Sequence, residues 1–179
     1  MTLPPALEAI WTDLEAVRAE VLREVGRLSQ AQTEWRPSPD DWSIGEIVHH
    51  LTLAEVGTGK LTSKLLKEAG AAATPFPADL RGFTPLPPSP PGPAEAPPVV
   101  RPESGHPIGA LLGDIRAARE RSRQSLERMG GVDPRPLKWS HGRLGELDLA
   151  QWWMLQARHD HDHLDQLRRI KTAAGFPKP

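Results

Sequence analysis

The charge balance and the missing cysteines narrow the functions open to this 179-residue chain. Lys and Arg number 22 against 23 Asp and Glu, which leaves a formal charge of -1 and gives no support for a nucleic-acid-binding surface, since that needs a basic surplus. Cysteine is absent, so disulfides, thiolate metal ligands and cysteine nucleophiles are excluded. Any bound metal ion must be held by nitrogen and oxygen atoms.

The length and the amino terminus predict one cytoplasmic domain covering residues 1–179. The start, Met1-Thr2-Leu3-Pro4-Pro5, lacks the charged beginning and apolar run of a signal peptide. No stretch is long and apolar enough to span a membrane. We therefore expect neither a membrane nor a nucleic acid as a partner.

Apolar residues at helical spacing predict a first helix that begins near Pro4 and packs against a core. The polar residues 30–40 that follow contain two prolines and predict a turn. The apolar positions of the first helix are Leu7, Ile10, Trp11, Leu14, Val17, Val21, Val25 and Leu28.

A capping box marks the start of the second predicted helix. Ser43 and Glu46 have the spacing at which each side chain accepts a hydrogen bond from a free backbone N–H group. This favours a capping role for Glu46 over catalytic proton transfer. The apolar stripe that follows includes Ile47, His50 and Leu51, and Gly70 is the expected end of the helix.

Residues 71–107 form a proline-rich insert, because 12 of the 20 prolines fall in them. Proline lacks a backbone donor and interrupts helices, so the insert is predicted to be an extended crossover. A connection of this length is usually functional or disordered. A strap laid over the bundle is favoured over a docking site for a partner's aromatic groove.

Two further helices complete an all-α four-helix bundle, with the proline-rich crossover between its second and third helices. The third helix is predicted from Pro107 to Met129, where Gly130 and Gly131 end it. The fourth begins at Asp148, a good N-cap residue with Gln151 three positions on, and fades near Gly175. We find no β pattern of useful length.

Three histidines form a candidate metal site. His159 and His163 stand at positions i and i+4 and lie about 40° apart around a helix. His161 lies about 200° from His159 and should face solvent. His50 lies on the inward stripe of the second helix. Three neutral imidazoles with one open position are typical of catalytic rather than structural metal sites. The alternative is that these are core or interface histidines, each bonded to a neighbouring helix.

Neighbouring residues on the fourth helix have predicted supporting roles. Gln156 and Gln166 flank the histidine pair and are candidate hydrogen-bond partners of the ligand rings. Asp160 and Asp162 alternate with the histidines and are expected to be solvated. Trp152 is a core anchor that can also form a wall beside the open metal position.

The residues above resemble the DinB/YfiT-like superfamily of metal-binding four-helix bundles. Residues 42–51 resemble its W-S-x-x-E-I-x-x-H-L motif, and residues 159–167 its H-x-x-x-H-x-x-Q-I ending, with Leu167 in place of isoleucine. Residues 145–153 also match, whereas the insert does not. The resemblance implies that His50, His159 and His163 hold a divalent ion, Zn or Ni, and that the protein is a homodimer.

Two functions stay open. Some members of the superfamily are similar to metal-dependent thiol S-transferases or isomerases, which implies a low-molecular-weight thiol cosubstrate and an electrophile. The other function is a non-enzymatic metal-binding bundle that acts in interactions or in a stress response, with the insert as its docking strap. Hydrolysis by metal-bound water ranks lower, because the sequence shows no convincing proton shuttle.

Overall fold

The computed structural model describes residues 2–92 and 95–178. Met1, Pro93, Ala94 and Pro179, at the ends of the predicted domain and inside the predicted insert, lie outside the described residues. No helix in the described part is long and apolar enough to cross a membrane. The elements are α1 (Pro5–Val25), α2 (Gln30–Glu34), α3 (Ile44–Ala69), α4 (Ile108–Met129), β1 (Lys138–His141), β2 (Gly145–Asp148) and α5 (Leu149–Thr172), with single 3-10 turns at Gly70–Ala72 and Pro98–Val100.

The four long helices α1, α3, α4 and α5 confirm the predicted bundle, and local sequence signals define their ends. Capping boxes begin α3 at Ser43 and α5 at Asp148, as predicted. α3 ends at Gly70, whose φ of 48° suits glycine better than any other residue. α4 ends at Gly130.

Replacing Ser43 with alanine should lower the free energy of unfolding by about 1 kcal/mol. Its hydroxyl accepts a hydrogen bond from the backbone N–H of Glu46 at 3.2 Å, and alanine cannot replace that acceptor. Urea denaturation of the metal-free protein measures the loss. The control is Ser104→Ala, at an exposed position of the insert. Equal midpoints for the two variants would contradict the capping role.

Two apolar clusters fill the bundle, one at each end. α1 and α5 run from the cluster that contains Leu3 to the cluster that contains Val17, and α3 and α4 run in the opposite direction. α1 and α5 are therefore parallel to each other, and so are α3 and α4. The first cluster contains Leu3, Leu7, Ile10, Leu14, Leu65, Leu126, Met129, Leu149, Ala150 and Trp153. The second contains Val17, Val21, Val25, Ile44, Ile47, Val48, Leu51, Leu111, Ile115, Leu164, Leu167 and Ile170.

The parallel course of α3 and α4 explains the length of the proline-rich insert. These two helices pack against each other, so the chain must return along the whole of α3 before α4 can begin. The 26 residues of α3 span about 39 Å at 1.5 Å per residue. An extended crossover covers this distance, as predicted, and it lies on the bundle rather than apart from it.

Between the apolar clusters lies a buried ionic cluster of four side chains, one from each long helix. Arg18 contacts Glu55 and Asp160, each at 2.8 Å. Arg119 contacts Glu55 at 2.7 Å and Asp160 at 3.2 Å. All four are buried, with Asp160 only 1% exposed. Two guanidinium groups thus face two carboxylates, which fixes the helices relative to one another in the middle of the bundle.

The prediction that Asp160 is solvated was wrong, and the reason is the phase of α5. Trp153, Asp160 and Leu164 lie on the buried face of this helix. Each of them comes one residue after a position that was predicted to face the core: Trp152, His159 and His163. His159 and His163 consequently lie at the edge of the core, partly buried. Asp162 is exposed, as predicted.

Two short elements were not predicted. α2 lies in residues 30–40, where we expected only a turn, and it begins with a capping box formed by Ser29 and Gln32. The strands β1 and β2 pair antiparallel, where we expected no strand. Five-residue and four-residue elements are too short for a hydrophobic period to develop, so only the capping signal of α2 was available in the sequence.

Candidate metal centre

The structure brings the three predicted histidines together. His50 comes from the first half of α3, and His159 and His163 come from the middle of α5. Their ring centroids lie 4.6 to 4.9 Å apart. One nitrogen from each ring can be chosen so that all three lie within 4.8 Å of one another.

Hydrogen bonds orient two of the rings so that their Nε2 atoms are left for a ligand. His50 Nδ1 lies 2.6 Å from the carbonyl oxygen of Val100, which can only accept, so the ring donates its Nδ1–H. His163 Nδ1 lies 2.8 Å from Gln166 Oε1. This second contact confirms the predicted role of Gln166. Each bond fixes the tautomer in which Nε2 carries a free lone pair.

Burial keeps the three rings neutral. It lowers the pKa of His50 to about 4. Burial is also the main cause that lowers the pKa of His163, and it holds the pKa of His159 well below its ordinary value, with the other two histidines acting in the same direction. Neutral imidazole is the form that binds a metal ion, so the site is ready for one near neutral pH.

The donor set fits a divalent cation. His50 Nε2 and His159 Nε2 face each other at 2.9 Å, and His159 Nδ1 is buried without a hydrogen-bond partner among the described residues. No contact of the described residues fixes the His159 tautomer, so its Nε2 can present a lone pair beside that of His50. A cation between two such lone pairs stabilises them, and imidazole nitrogen suits Zn and Ni. The group contains three histidines and no carboxylate within the described part of the chain. A bound ion would therefore keep an open position.

Trp42 forms the aromatic wall of the centre. Its ring lies 4.9 Å from the His50 ring and stacks on the His163 ring at 6.2 Å. A cavity of about 320 Å³ opens beside Trp42 and Gln166, with Arg169 also in its lining. The prediction gave this wall to Trp152, which instead packs on His141 and donates its indole N–H to the Trp139 carbonyl.

No hydrogen bond joins Glu46 or Gln156 to the three rings. The Glu46 carboxylate accepts hydrogen bonds from the Ser43 N–H and from Arg36, which confirms its capping role. Gln156 was predicted to support a ligand ring, but its amide donates to the Thr58 hydroxyl. That prediction was wrong, because Gln156 lies on the core face of α5 and the histidines do not.

The remaining histidines lie outside the centre. His161 is exposed on the opposite side of α5, as predicted. His49 Nδ1 accepts a hydrogen bond from the Glu103 N–H, and its ring contacts His106. Burial is the first cause that lowers the pKa of His141, followed by the charge of Arg158.

Comparisons with known proteins agree with this architecture. The sequence profile of the DinB superfamily matches residues 13–167. TT2238, described as a four-helix bundle protein, superimposes with a TM-score of 0.63 at 18% identity, over 91% of this chain and 98% of its own. YfiT from Bacillus subtilis, described as a probable metal-dependent hydrolase with an unusual four-helix bundle topology, gives 0.61 at 14% identity, over 96% and 89%. Both likenesses concern the fold alone. No curated protein matches the chain.

Proposed function

The chain belongs to the DinB superfamily, and from that premise we propose that it is a metal-dependent S-transferase. His50, His159 and His163 hold one Zn or Ni ion, and the substrates are a low-molecular-weight thiol and an electrophile. The observation that carries this proposal is the convergence of three neutral imidazoles with no fourth protein ligand in the described cluster.

The residues of the chain have defined parts in this proposal. The three rings bind the ion, the Val100 carbonyl and Gln166 keep two of them in the ligating tautomer, and Trp42 shields one side from water. A metal ion held there would act as a Lewis acid that lowers the pKa of a thiol at the open position. An S–C bond then forms, the leaving group departs with its bonding electrons, and the thiol proton passes to solvent.

Thiol transfer suits this centre because it needs no protein base once the thiol has lost its proton. Glu46, the acidic residue weighed for proton transfer in the sequence, is engaged by Ser43 and Arg36. The cavity beside Trp42 has both Asp41 and Arg169 in its lining and none of the three histidines, so we assign it no substrate.

A second candidate is metal-dependent hydrolysis. What favours it is the description of the structurally similar YfiT as a probable metal-dependent hydrolase. Hydrolysis would use the same three histidines and a water molecule in place of the thiol.

Parallel assays of Zn-loaded and Ni-loaded protein separate the two candidates. One assay follows conjugation of a chlorinated nitrobenzene with a series of cellular thiols, and the other follows hydrolysis of an activated ester. We expect conjugation that depends on the metal, is lost in His159→Ala and is kept in His161→Ala. Ester hydrolysis without conjugation would contradict S-transfer. Metal binding without either reaction would favour the non-enzymatic, interaction or stress-response role.

We propose from the family resemblance that the protein forms a homodimer. Sedimentation equilibrium of the full chain measures its mass directly. A mass equal to one chain of 19.7 kDa at all concentrations would overturn this proposal.

A further inference from the structure

Part of the proline-rich insert, which we call the strap (residues 85–92 and 95–103), touches both ligand-bearing helices at or next to the ligands. Arg158, the neighbour of His159 on α5, donates to the Pro87 carbonyl at 2.7 Å. On α3, His50 itself donates to the Val100 carbonyl at 2.6 Å. The preceding residue, His49, accepts from the Glu103 N–H at 3.0 Å. The strap therefore contacts both α5, which carries His159 and His163, and α3, which carries His50.

A rigid local turn aims the Val100 carbonyl at His50. Residues Pro98–Val100 form a 3-10 turn in which the Val100 N–H donates to the Pro97 carbonyl at 3.0 Å. Pro97 and Pro98 have fixed φ angles, so this turn has fewer conformations to lose when it docks. A carbonyl held this way costs little additional entropy when it accepts the hydrogen bond.

We infer that the Val100 backbone carbonyl is a positioning group of the metal centre, which links docking of the strap to metal binding. This inference rests on the proposed metal site. The carbonyl stabilises the His50 tautomer whose Nε2 lone pair points towards His159. Such partners of ligating imidazoles change metal affinity by about 10- to 100-fold.

The linkage is reciprocal. Whatever factor the docked strap adds to the metal affinity, bound metal must add to the stability of the docked strap. A strap that only covers the bundle would show neither effect. Measuring the metal affinity and the stability of the docked strap therefore distinguishes a positioning role from a covering role.

The strap supplies its own matched control. The strap is also held by contacts that lie outside the histidine centre. Arg143, in the loop between β1 and β2, donates hydrogen bonds to the carbonyls of Pro90 and Pro91. The side chains of these two prolines and of Pro97 and Pro98 are all exposed. Glycine at either pair therefore adds similar conformational freedom to the unfolded chain and truncates exposed side chains in both variants.

The test compares the double variants Pro97→Gly/Pro98→Gly and Pro90→Gly/Pro91→Gly. We expect the first to weaken Zn and Ni binding by about 10-fold or more, and the second to stay within about twofold of the original chain. The visible absorption spectrum of the Co²⁺-loaded protein should change only in the first variant, because it reports ligand geometry rather than stability.

Proteolysis measures the reverse direction. A glutamate-specific protease can cleave after Glu95 and Glu103, both exposed in the strap. Bound metal should slow this cleavage in the original chain and in the Pro90→Gly/Pro91→Gly variant. The effect should be much smaller in Pro97→Gly/Pro98→Gly.

The outcomes separate this inference from the proposed function. If the original chain binds metal and the Pro97→Gly/Pro98→Gly variant binds it equally tightly with an unchanged Co²⁺ spectrum, the positioning role is wrong and the metal site stands. If the original chain binds no metal, the proposed function fails and the inference fails with it.

Discussion

Replacing His159 with alanine is expected to weaken Zn or Ni binding by more than about 100-fold, because loss of a hydrogen-bond partner of a ligand alone costs 10- to 100-fold. The three rings form a nearly equilateral triangle, and His159 Nε2 lies 2.9 Å from His50 Nε2. Competition with a chromophoric chelator measures the affinity. Thermal unfolding supplies a second reading, since an ion at 100 times its Kd stabilises the fold by about 2.7 kcal/mol.

The matched control for this experiment is His161→Ala. It removes the same ring from the same helix, at a position that is exposed and faces away from the centre. The control should bind metal as tightly as the original chain. If metal binding weakens equally in both variants, or in neither of them, His159 is not a ligand of the ion.

The second large effect is expected in the buried ionic cluster, where Asp160→Asn should lower the free energy of unfolding by about 3–5 kcal/mol. The substitution keeps the shape of the side chain and removes its charge. Arg18 and Arg119 would then share Glu55 as their one buried carboxylate in the cluster, and Arg18 is only 3% exposed. A guanidinium buried without a matching carboxylate loses the hydration that stabilises its charge in water.

Asp162→Asn is the comparison for that variant. It changes the same chemical group two residues along α5, where the carboxylate is exposed, so the loss should stay below about 0.5 kcal/mol. Urea denaturation of the metal-free proteins gives both values. A loss below about 1 kcal/mol for Asp160→Asn would mean that the cluster does not hold the helices together as described.

The long helices could be predicted because their signals are local and repeated. Two capping boxes indicated the starts of α3 and α5, and two terminal glycines indicated the ends of α3 and α4, all within a residue or two. The crossover followed from its prolines. The hairpin gave no comparable signal, because its strands are four residues long and three of the four positions of β1 are exposed.

The histidines that the structure brings together could be predicted from helical phase, whereas their surroundings could not. His50, His159 and His163 each stand at a spacing that selects one face. The Val100 carbonyl is a backbone group that no side-chain pattern marks, and it lies 50 residues from His50 in the chain. Trp42 lies just before α3, where helical phase does not apply.

Asp160 shows the limit of phase arguments in a short, highly charged segment. Residues 159–163 alternate histidine and aspartate, so either of two faces fits the core. The deciding partners, Arg18 and Arg119, lie 142 and 41 residues away. Such pairings become visible only once the helices are assembled.

The central claim is that three imidazoles from α3 and α5 bind one ion, and anomalous X-ray scattering from crystals of untagged protein, grown without chelator in the presence of Zn or Ni, tests it most directly. We predict one metal peak per chain, bonded to the Nε2 atoms of His50, His159 and His163 at about 2.0–2.1 Å. A metal ion bound only by other residues, or no peak between these rings at saturating metal, would contradict the claim.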